Sequence, residues 1–368
     1  MDLVPLIDAV GEPGAALAGG AMLGLVFGVA AQRSAFCTRS AVLDIVRGGD
    51  GTALATWLVG FAVAILGVQL LLFNGALDVT ETRFFSTAQS LSGAAVGGLM
   101  FGIGMILARG CVSRLLVLGA SGNLRALFSI LIVGLVGLAT YAGILSPLRD
   151  AIGGLMGTGA IGGNDLLASA GLDRGAGLAL GLALAVLAAG LALRNRLSPW
   201  RVLGGAAVGA TIVGGWWFTW QLSMQVFEPI QAESLSFIRP LATSGEIAIG
   251  RDTLFGWDQG LLAGTVLGAF AAAILFRDFR IATFSEPGTP SILRYAIGAV
   301  LMGFGGILAV GCTIGAGFTG GSVLAISSIL GLASMVAGAA LAELALGGRP
   351  ARKPGRAAAG PRFAQPAE

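Results

Sequence analysis

The sequence predicts an all-α integral membrane protein with about nine transmembrane helices. Of its 368 residues, 55% are hydrophobic and only 11% are charged, and the mean hydropathy is +0.87. A soluble globular protein carries about 25% charged residues, so 22 basic and 19 acidic side chains are too few to cover a water-facing surface. The net charge of +3 on so apolar a chain also excludes a disordered protein and a nucleic-acid-binding face.

Apolar windows long enough to span a membrane run along most of the chain. A spanning helix needs roughly 20 predominantly apolar residues. The windows lie near 14–31, 52–73, 91–108, 126–146, 175–193, 202–220, 259–276, 295–310 and 322–346. Several are short or are interrupted by glycine, which is typical of broken or re-entrant segments inside transporters.

The segments between these windows differ in charge, and the difference predicts the orientation. Arginine is abundant in the segments 32–50, 109–125, 194–201 and 277–294 and in the tail from Arg349, whereas most loop acids lie in 74–90, 147–174 and 221–258. The positive-inside rule places the arginine-rich side and the C-terminus in the cytoplasm and the N-terminus outside, and nine crossings agree with this parity.

We expect residues 1–348 to form a single polytopic membrane domain in contact with lipid. Residues 349–368 are short and polar, which predicts a disordered cytoplasmic tail. Trp216, Trp217 and Trp220 end a helix on the acidic side, and we interpret them as interfacial anchors.

Three segments of the chain repeat one pattern, with a glycine nine residues before each cysteine. They are GLVFGVAAQRSAFCTRSA (Gly24 to Ala41), GLMFGIGMILARGCVSRL (Gly98 to Leu115) and AVLMGFGGILAVGCTIGA (Ala299 to Ala316). A fourth segment without cysteine, from Gly264 to Phe284, resembles the first. In the predicted topology the helices before the first two cysteines run inward and the helix before the third runs outward. This predicts pseudo-symmetric inverted repeats, with halves at about 14–146 and 202–346, whose loops converge near the middle of the membrane.

The chain contains three cysteines and no histidine. The absence of histidine excludes His-ligated metal sites and Ser–His or Cys–His catalytic pairs. Cys37, Cys111 and Cys312 are too far apart for a C-x-x-C motif or a zinc ribbon. We therefore expect no catalytic residue, no metal site and no cofactor.

The cysteines and their neighbours are candidate positions for binding and translocating a solute. A buried cysteine commonly packs as a small apolar side chain, but three in one equivalent position, each followed closely by a polar residue, favour a function. A thiol offers a weak donor and a polarisable sulfur, which suit a sulfur-containing solute. The candidate residues are Cys37, Cys111, Cys312, Arg109, Gly110, Gly311, Thr313, Gly315 and Gly317.

The glycines fall into two groups. Those scattered along the helices, such as Gly19, Gly24 and Gly28, are interpreted as sites of close helix packing. The cluster after Cys312 predicts a nest of backbone N–H groups that binds an anion; its members are Gly315, Gly317, Gly320 and Gly321.

Charged residues near the apolar windows have two interpretations. Arginines beside a thiol attract an anion, but Arg33, Arg39 and Arg114 are interpreted first as cytoplasmic interface charges. Both interpretations stay open for Arg109. The acids Asp44 and Glu343 lie in or beside apolar windows, where proton coupling is one hypothesis; we expect Glu343 to extend to the interface.

Three features of the sequence point to a known family: the three helix–glycine–cysteine segments, the Gly-Cys motifs after the third and eighth windows, and the stretch SLSFIRPLATS (Ser234 to Ser244). In these features the chain resembles the YeeE/YedE family of bacterial membrane proteins. The resemblance reaches to about Gly348. It implies uptake of thiosulfate or a related sulfur compound across the inner (cytoplasmic) membrane of a bacterial cell. The path is expected to be central and hourglass-shaped, with the ion relayed by S–H···S hydrogen bonds. By motif, Cys111 and Cys312 would be the central thiols and Cys37 a third station toward the cytoplasm. It further implies a small TusA-like sulfur-carrier protein as a separate partner chain.

Other classes of function remain open at this stage. The cysteines could become persulfidated in a membrane thiol oxidoreductase or sulfurtransferase, or three thiolates could hold Cu(I) in a soft-metal channel or sensor. The absence of histidine and methionine clusters counts against the copper hypothesis. The carried species could also be another sulfur or selenium compound. We favour a transporter that is not an enzyme.

Overall fold

The computed structural model describes residues 3–226, 230–251 and 255–346. The tail predicted at 349–368, and the acidic residue Glu228 of the segment 221–258, lie outside the described residues.

The described chain is helical. Its α-helices are α1 (Val4–Ser34), α2 (Thr38–Val46), α3 (Thr52–Phe73), α4 (Leu91–Leu107), α5 (Val112–Ala120), α6 (Leu124–Tyr141), α7 (Ser146–Gly153), α8 (Leu166–Ser169), α9 (Arg174–Arg194), α10 (Pro199–Ser223), α11 (Ile238–Ala248), α12 (Trp257–Leu275), α13 (Ile292–Leu308) and α14 (Ile326–Ala345). A 3-10 turn, Thr158–Ile161, precedes α8, and a π-helical segment, Thr313–Gly320, lies between α13 and α14.

Nine helices of the described residues are long and apolar enough to cross a membrane: α1, α3, α4, α6, α9, α10, α12, α13 and α14. This confirms the predicted all-α integral membrane protein with nine spans. The bounds differ most at the first helix, which begins at Val4 rather than near residue 14. A kink at Gly11, where φ is 76°, joins this additional stretch to the apolar part of α1.

Polar side chains determine where several spanning helices begin. Ser90 accepts a hydrogen bond at the start of α4, Asn123 at the start of α6 and Asp173 at the start of α9. The Asp44 carboxylate accepts from the N–H groups of Ala53 and Leu54 in the first turn of α3. Such caps satisfy backbone donors that have no partner inside the helix.

Glycines bring spanning helices into direct backbone contact. A Cβ at Gly24 of α1 would overlap the Leu261 carbonyl of α12, and a Cβ at Gly264 of α12 would overlap the Ala21 carbonyl of α1. The stripe on α1 continues at Gly20 and Gly28, and the stripe on α12 at Gly260 and Gly268. Small residues at this spacing allow close packing of membrane helices, which confirms the packing interpretation of the helix glycines.

The backbone contacts also give the relative directions of the helices. Residues advance together along α1 and α12, α3 and α10, and α4 and α14, so each of these pairs is parallel. In contrast, α4 and α13 are antiparallel, because Gly97 meets Gly305 while Gly104 meets Gly298. The helices that lead to Cys111 and Cys312 therefore run in opposite directions, as predicted.

Two sequence predictions about the fold are wrong. The segment from Gly264 to Phe284 does not form a fourth copy of the helix-and-break pattern, because residues 276–291 after α12 contain no helix before α13 begins. The fourth unit is formed instead by α10, the non-helical residues 230–237 and α11. Trp216 is not an interfacial anchor, because it is fully buried and its indole N–H donates to the Thr319 carbonyl at 3.3 Å.

Candidate translocation site

Each cysteine lies at a break between a long and a short helical segment. Cys37 directly precedes α2, Cys111 precedes α5 and Cys312 precedes the π-helical segment. No side chain caps the beginning of these three segments. The first N–H groups of a helix carry the positive end of its dipole, so each thiol has backbone donors suited to an anion beside it.

The three breaks share one backbone conformation. The residue two positions before each cysteine is left-handed, with φ of 52° at Ala35, 61° at Arg109 and 58° at Val310. A left-handed conformation costs an L-residue roughly 1–2 kcal/mol. Three such residues at equivalent positions show that the sequence repeat is also a repeat in the backbone.

The structure brings Cys37 and Cys111 together. Both are buried free thiols, and each acts electrostatically on the other. The Cys111 sulfur also lies 3.4 Å from the Ser113 hydroxyl. Two buried thiols on separate short helices thus form one cluster, which we call the thiol pair.

Cys312 lies at the start of the π-helical segment. In residues 3–226, 230–251 and 255–346, no three cysteine or carboxylate side chains approach closely enough to hold one metal ion. The Thr313 and Ser236 hydroxyls are buried without a hydrogen-bond partner. A Cβ at Gly315 would lie 2.5 Å from the Ser236 hydroxyl oxygen, so Ser236 faces the same segment. Single-turn π-helical features occur frequently at functional sites, and these hydroxyls are free to donate to a solute.

Aromatic rings fix the first break against the π-helical segment. Phe318 of that segment packs edge-on against Phe36 and Trp57, with ring centroids 5.6 Å and 5.1 Å apart. The Trp57 indole N–H donates to the Thr38 hydroxyl at 3.1 Å. The start of α2 and the π-helical segment therefore lie side by side in the bundle.

The predicted glycine nest after Cys312 is not formed. A nest alternates right- and left-handed residues, whereas none of its four described glycines has a positive φ. Gly317 instead faces Leu332, and Gly320 lies against the Ser328 side chain. Packing also requires the glycine directly before Cys312, because a Cβ at Gly311 would lie 2.5 Å from the Ala316 backbone nitrogen; a Cβ at Gly110 would meet only the end of the Leu115 side chain, at 3.0 Å.

Arg39 is buried rather than interfacial. Only 4% of its surface is exposed, and its Nε and Nη1 atoms have no hydrogen-bond partner. The expected interface position is therefore wrong for this arginine. Arg33, by comparison, pairs with Asp278 at 3.4 Å, and Arg114 donates to the Ala31 carbonyl at 3.5 Å.

Glu343 is also buried. It is 2% exposed and accepts from Arg47, with 2.6 Å between the Arg47 Nε and a carboxylate oxygen. The prediction that it extends to the interface is wrong, because α2 packs against α14 and brings Arg47 to it.

A cluster of arginines and carboxylates lies where α11 meets the start of α12, and sequence reasoning missed it. The Arg239 guanidinium binds Glu233 at 2.6 Å and Asp258 at 2.8 Å. Burial alone would lower the pKa of Arg239, but these carboxylates hold it well above its usual range. Arg83 lies nearby; burial lowers its pKa, and its Nε atom has no partner. The only sequence signal was an arginine at the second position of a short helix, as in α2.

Comparison with known proteins identifies the family to which this arrangement belongs. The profile of the sulphur transport family matches residues 33–341. The chain belongs to this family.

Two relatives have a described substrate. The chain is 27% identical over 335 residues to the thiosulfate transporter TsuA of Spirochaeta thermophila, covering 84% of this chain and 93% of that protein. It is 25% identical over 356 residues to the thiosulfate transporter TsuA of Escherichia coli, covering 91% and 96%. These matches confirm the resemblance found in the sequence and a role in the transport of sulfur compounds.

Proposed function

We propose that this member of the sulphur transport family takes up thiosulfate across the bacterial cytoplasmic membrane, along a central path lined by cysteines. The observation that carries the proposal is the position of each thiol at the uncapped beginning of a short helical segment. Thiosulfate is a dianion with a soft terminal sulfur. Thiols suit its sulfur, while helix N-termini and arginines suit its charge.

In this mechanism the ion passes from one thiol to another by S–H···S hydrogen bonds. Cys312 holds it first, with the Thr313 and Ser236 hydroxyls as further donors, and the thiol pair receives it next. Each contact is weak, which a conducting path requires because a binding site must also release its ion. The proximity of Cys37 and Cys111 supports a shared station rather than two separate ones.

The proposed path lies between two inverted halves, near 14–146 and 202–346. The packing supports this division, because the contacts between the two halves come in corresponding pairs: α1 with α12 corresponds to α10 with α3, and α4 with α14 corresponds to α13 with α6. A two-fold axis in the membrane plane would bring the breaks together at the narrowest point of an hourglass.

The proposed orientation places the N-terminus outside and the C-terminus in the cytoplasm. It rests on the arginine-rich segments, which the alternating helix directions bring to one side. On that side, a separate TusA-like carrier protein is the proposed acceptor of the imported sulfur.

A second candidate function is sulfur transfer on the thiol pair itself. Two neighbouring buried thiols favour it: one thiolate could take the outer sulfur of thiosulfate and release sulfite, and the persulfide so formed could pass that sulfur to the second thiol, which regenerates the first. Intact-protein mass spectrometry after turnover separates the two functions: sulfur adducts on Cys37 or Cys111 would support transfer, and unmodified thiols during active uptake would support transport alone.

Growth of a host that lacks its own thiosulfate uptake tests the proposal. The host expressing this chain should grow on thiosulfate as sole sulfur source, and sulfite and sulfate should be compared in parallel. Cys111→Ser and Cys312→Ser variants, present in the membrane at normal levels, should not support growth. Normal growth of both variants on thiosulfate would contradict the thiol relay.

A further inference from the structure

We propose that Arg39 is a binding residue for the transported anion, in a site on the arginine-rich side of the thiol pair. The site takes a doubly charged sulfur oxyanion such as thiosulfate. This inference rests on the proposed function and adds to it a residue and a second kind of contact, an arginine–oxyanion contact beside the thiol–sulfur contact.

The first support is the unsatisfied guanidinium. Arg39 is 4% exposed, yet its Nε and Nη1 atoms have no hydrogen-bond partner. Burying an ionised group without a partner is strongly unfavourable. A guanidinium offers five donors in a fixed fork that matches the oxygens of an oxyanion, so a bound anion would satisfy the unused donors.

The second support is the balance of charges around Arg39. Glu343 lies within electrostatic range of Arg39 but is held by Arg47. Two further arginines, Arg109 and Arg47, also lie within electrostatic range of Arg39. The surroundings of Arg39 therefore carry net positive charge, which attracts an anion.

The third support is a comparison inside the molecule. Arg39 is the second residue of α2, and Arg239 is the second residue of α11. The two short helices correspond, because α2 follows α1 and packs on α3 while α11 follows α10 and packs on α12. Arg239 is satisfied by two carboxylates, Glu233 and Asp258. At Arg39 a dianion would supply the two negative charges that the protein itself supplies at Arg239.

The position of Arg39 fits a handover from the thiol pair. It lies two residues after Cys37, and its charge acts on that thiol. One end of a thiosulfate ion can therefore keep its sulfur at Cys37 while an oxygen at the other end reaches the Arg39 fork. The site would draw the ion off the thiols toward the arginine-rich face.

Binding to purified protein tests this inference. Arg39→Met and Arg39→Lys are compared with the wild type and with Arg194→Met, an exposed arginine on the same side of the protein. Thiosulfate affinity is measured by isothermal titration in detergent, and the unfolding temperature is measured with and without thiosulfate. We expect Arg39→Met to weaken thiosulfate binding at least tenfold, Arg39→Lys to weaken it less because charge is kept and the fork is lost, and Arg194→Met to bind as the wild type.

The unfolding temperature of the ligand-free protein gives a second readout, because a binding role and a structural role of Arg39 predict changes of opposite sign. Removing a buried unpartnered charge should raise the unfolding temperature of Arg39→Met without thiosulfate, whereas loss of a structural contact would lower it. Wild-type affinity in Arg39→Met, or in a folded Arg39→Lys if the methionine variant does not fold, would overturn the inference. A wild-type protein that neither binds nor transports thiosulfate would instead contradict the proposed function.

Discussion

Replacing Gly24 by alanine should destabilise the protein, because the new methyl group has no space between α1 and α12. Its Cβ would overlap the Leu261 carbonyl oxygen and would lie 2.9 Å from the Thr265 nitrogen, where ordinary contact begins near 3.4 Å. These are backbone atoms, so no side chain can rotate away and the two helices must separate by at least half an ångström. Overpacking of this kind costs roughly 1–3 kcal/mol, from which a gain in helix propensity of up to about 1 kcal/mol is subtracted.

The net expectation for Gly24→Ala, after about 1 kcal/mol of helix propensity is subtracted from the middle of that range, is a loss of about 1 kcal/mol in the free energy of unfolding. The matched control is Gly190→Ala on α9, where nothing lies within 4 Å of an added Cβ; it should be neutral or stabilising by up to about 1 kcal/mol. Unfolding by sodium dodecyl sulfate in mixed micelles, followed by circular dichroism, measures both. Equal stability of the two variants, or a Gly24→Ala protein at least as stable as the wild type, would refute the packing of α1 on α12.

Three further predictions concern the site. Trp216→Phe should lower the unfolding free energy by about 1 kcal/mol, because it removes a buried indole hydrogen bond to the π-helical segment; an unchanged denaturation curve would contradict that contact. Arg47→Met should destabilise the protein more than Glu343→Gln. The Glu343 side chain is 3% exposed and the Arg47 side chain 30% exposed, so Arg47→Met leaves a carboxylate without a partner and away from water, whereas Glu343→Gln leaves an arginine that water can reach. The reverse order by thermal unfolding would contradict the burial. Mild oxidation should link Cys37 to Cys111, seen by mass spectrometry of peptides, and should block uptake until a reductant is added; peptides without this link would show that the thiols do not meet.

The sequence was sufficient for the membrane architecture, because crossing a bilayer requires long apolar windows that hydropathy detects directly. It also located the three breaks, since the glycine and cysteine spacing repeats without a gap. The fourth break was missed because it has no cysteine: the chain there reads Ser236-Phe237 before α11 begins at Ile238.

Burial of individual polar residues was the least predictable feature. Arg39, Glu343 and Trp216 all lie near helix ends, where an interfacial position is the usual expectation. Their burial depends on which helix packs against each of them, as when α2 meets α14, and no local pattern in the sequence carries that information. The glycine cluster after Cys312 was misinterpreted for a similar reason, because the same glycine-rich sequence is compatible with an anion-binding nest and with a tightly packed π-helical segment.

Uptake of radiolabelled thiosulfate into liposomes that contain only the purified protein tests the central proposal most directly. The account predicts saturable uptake by the wild type and loss of that uptake in Cys111→Ser and Cys312→Ser proteins that unfold at the wild-type temperature. Wild-type uptake rates in both folded serine variants would contradict a path in which thiols carry the ion.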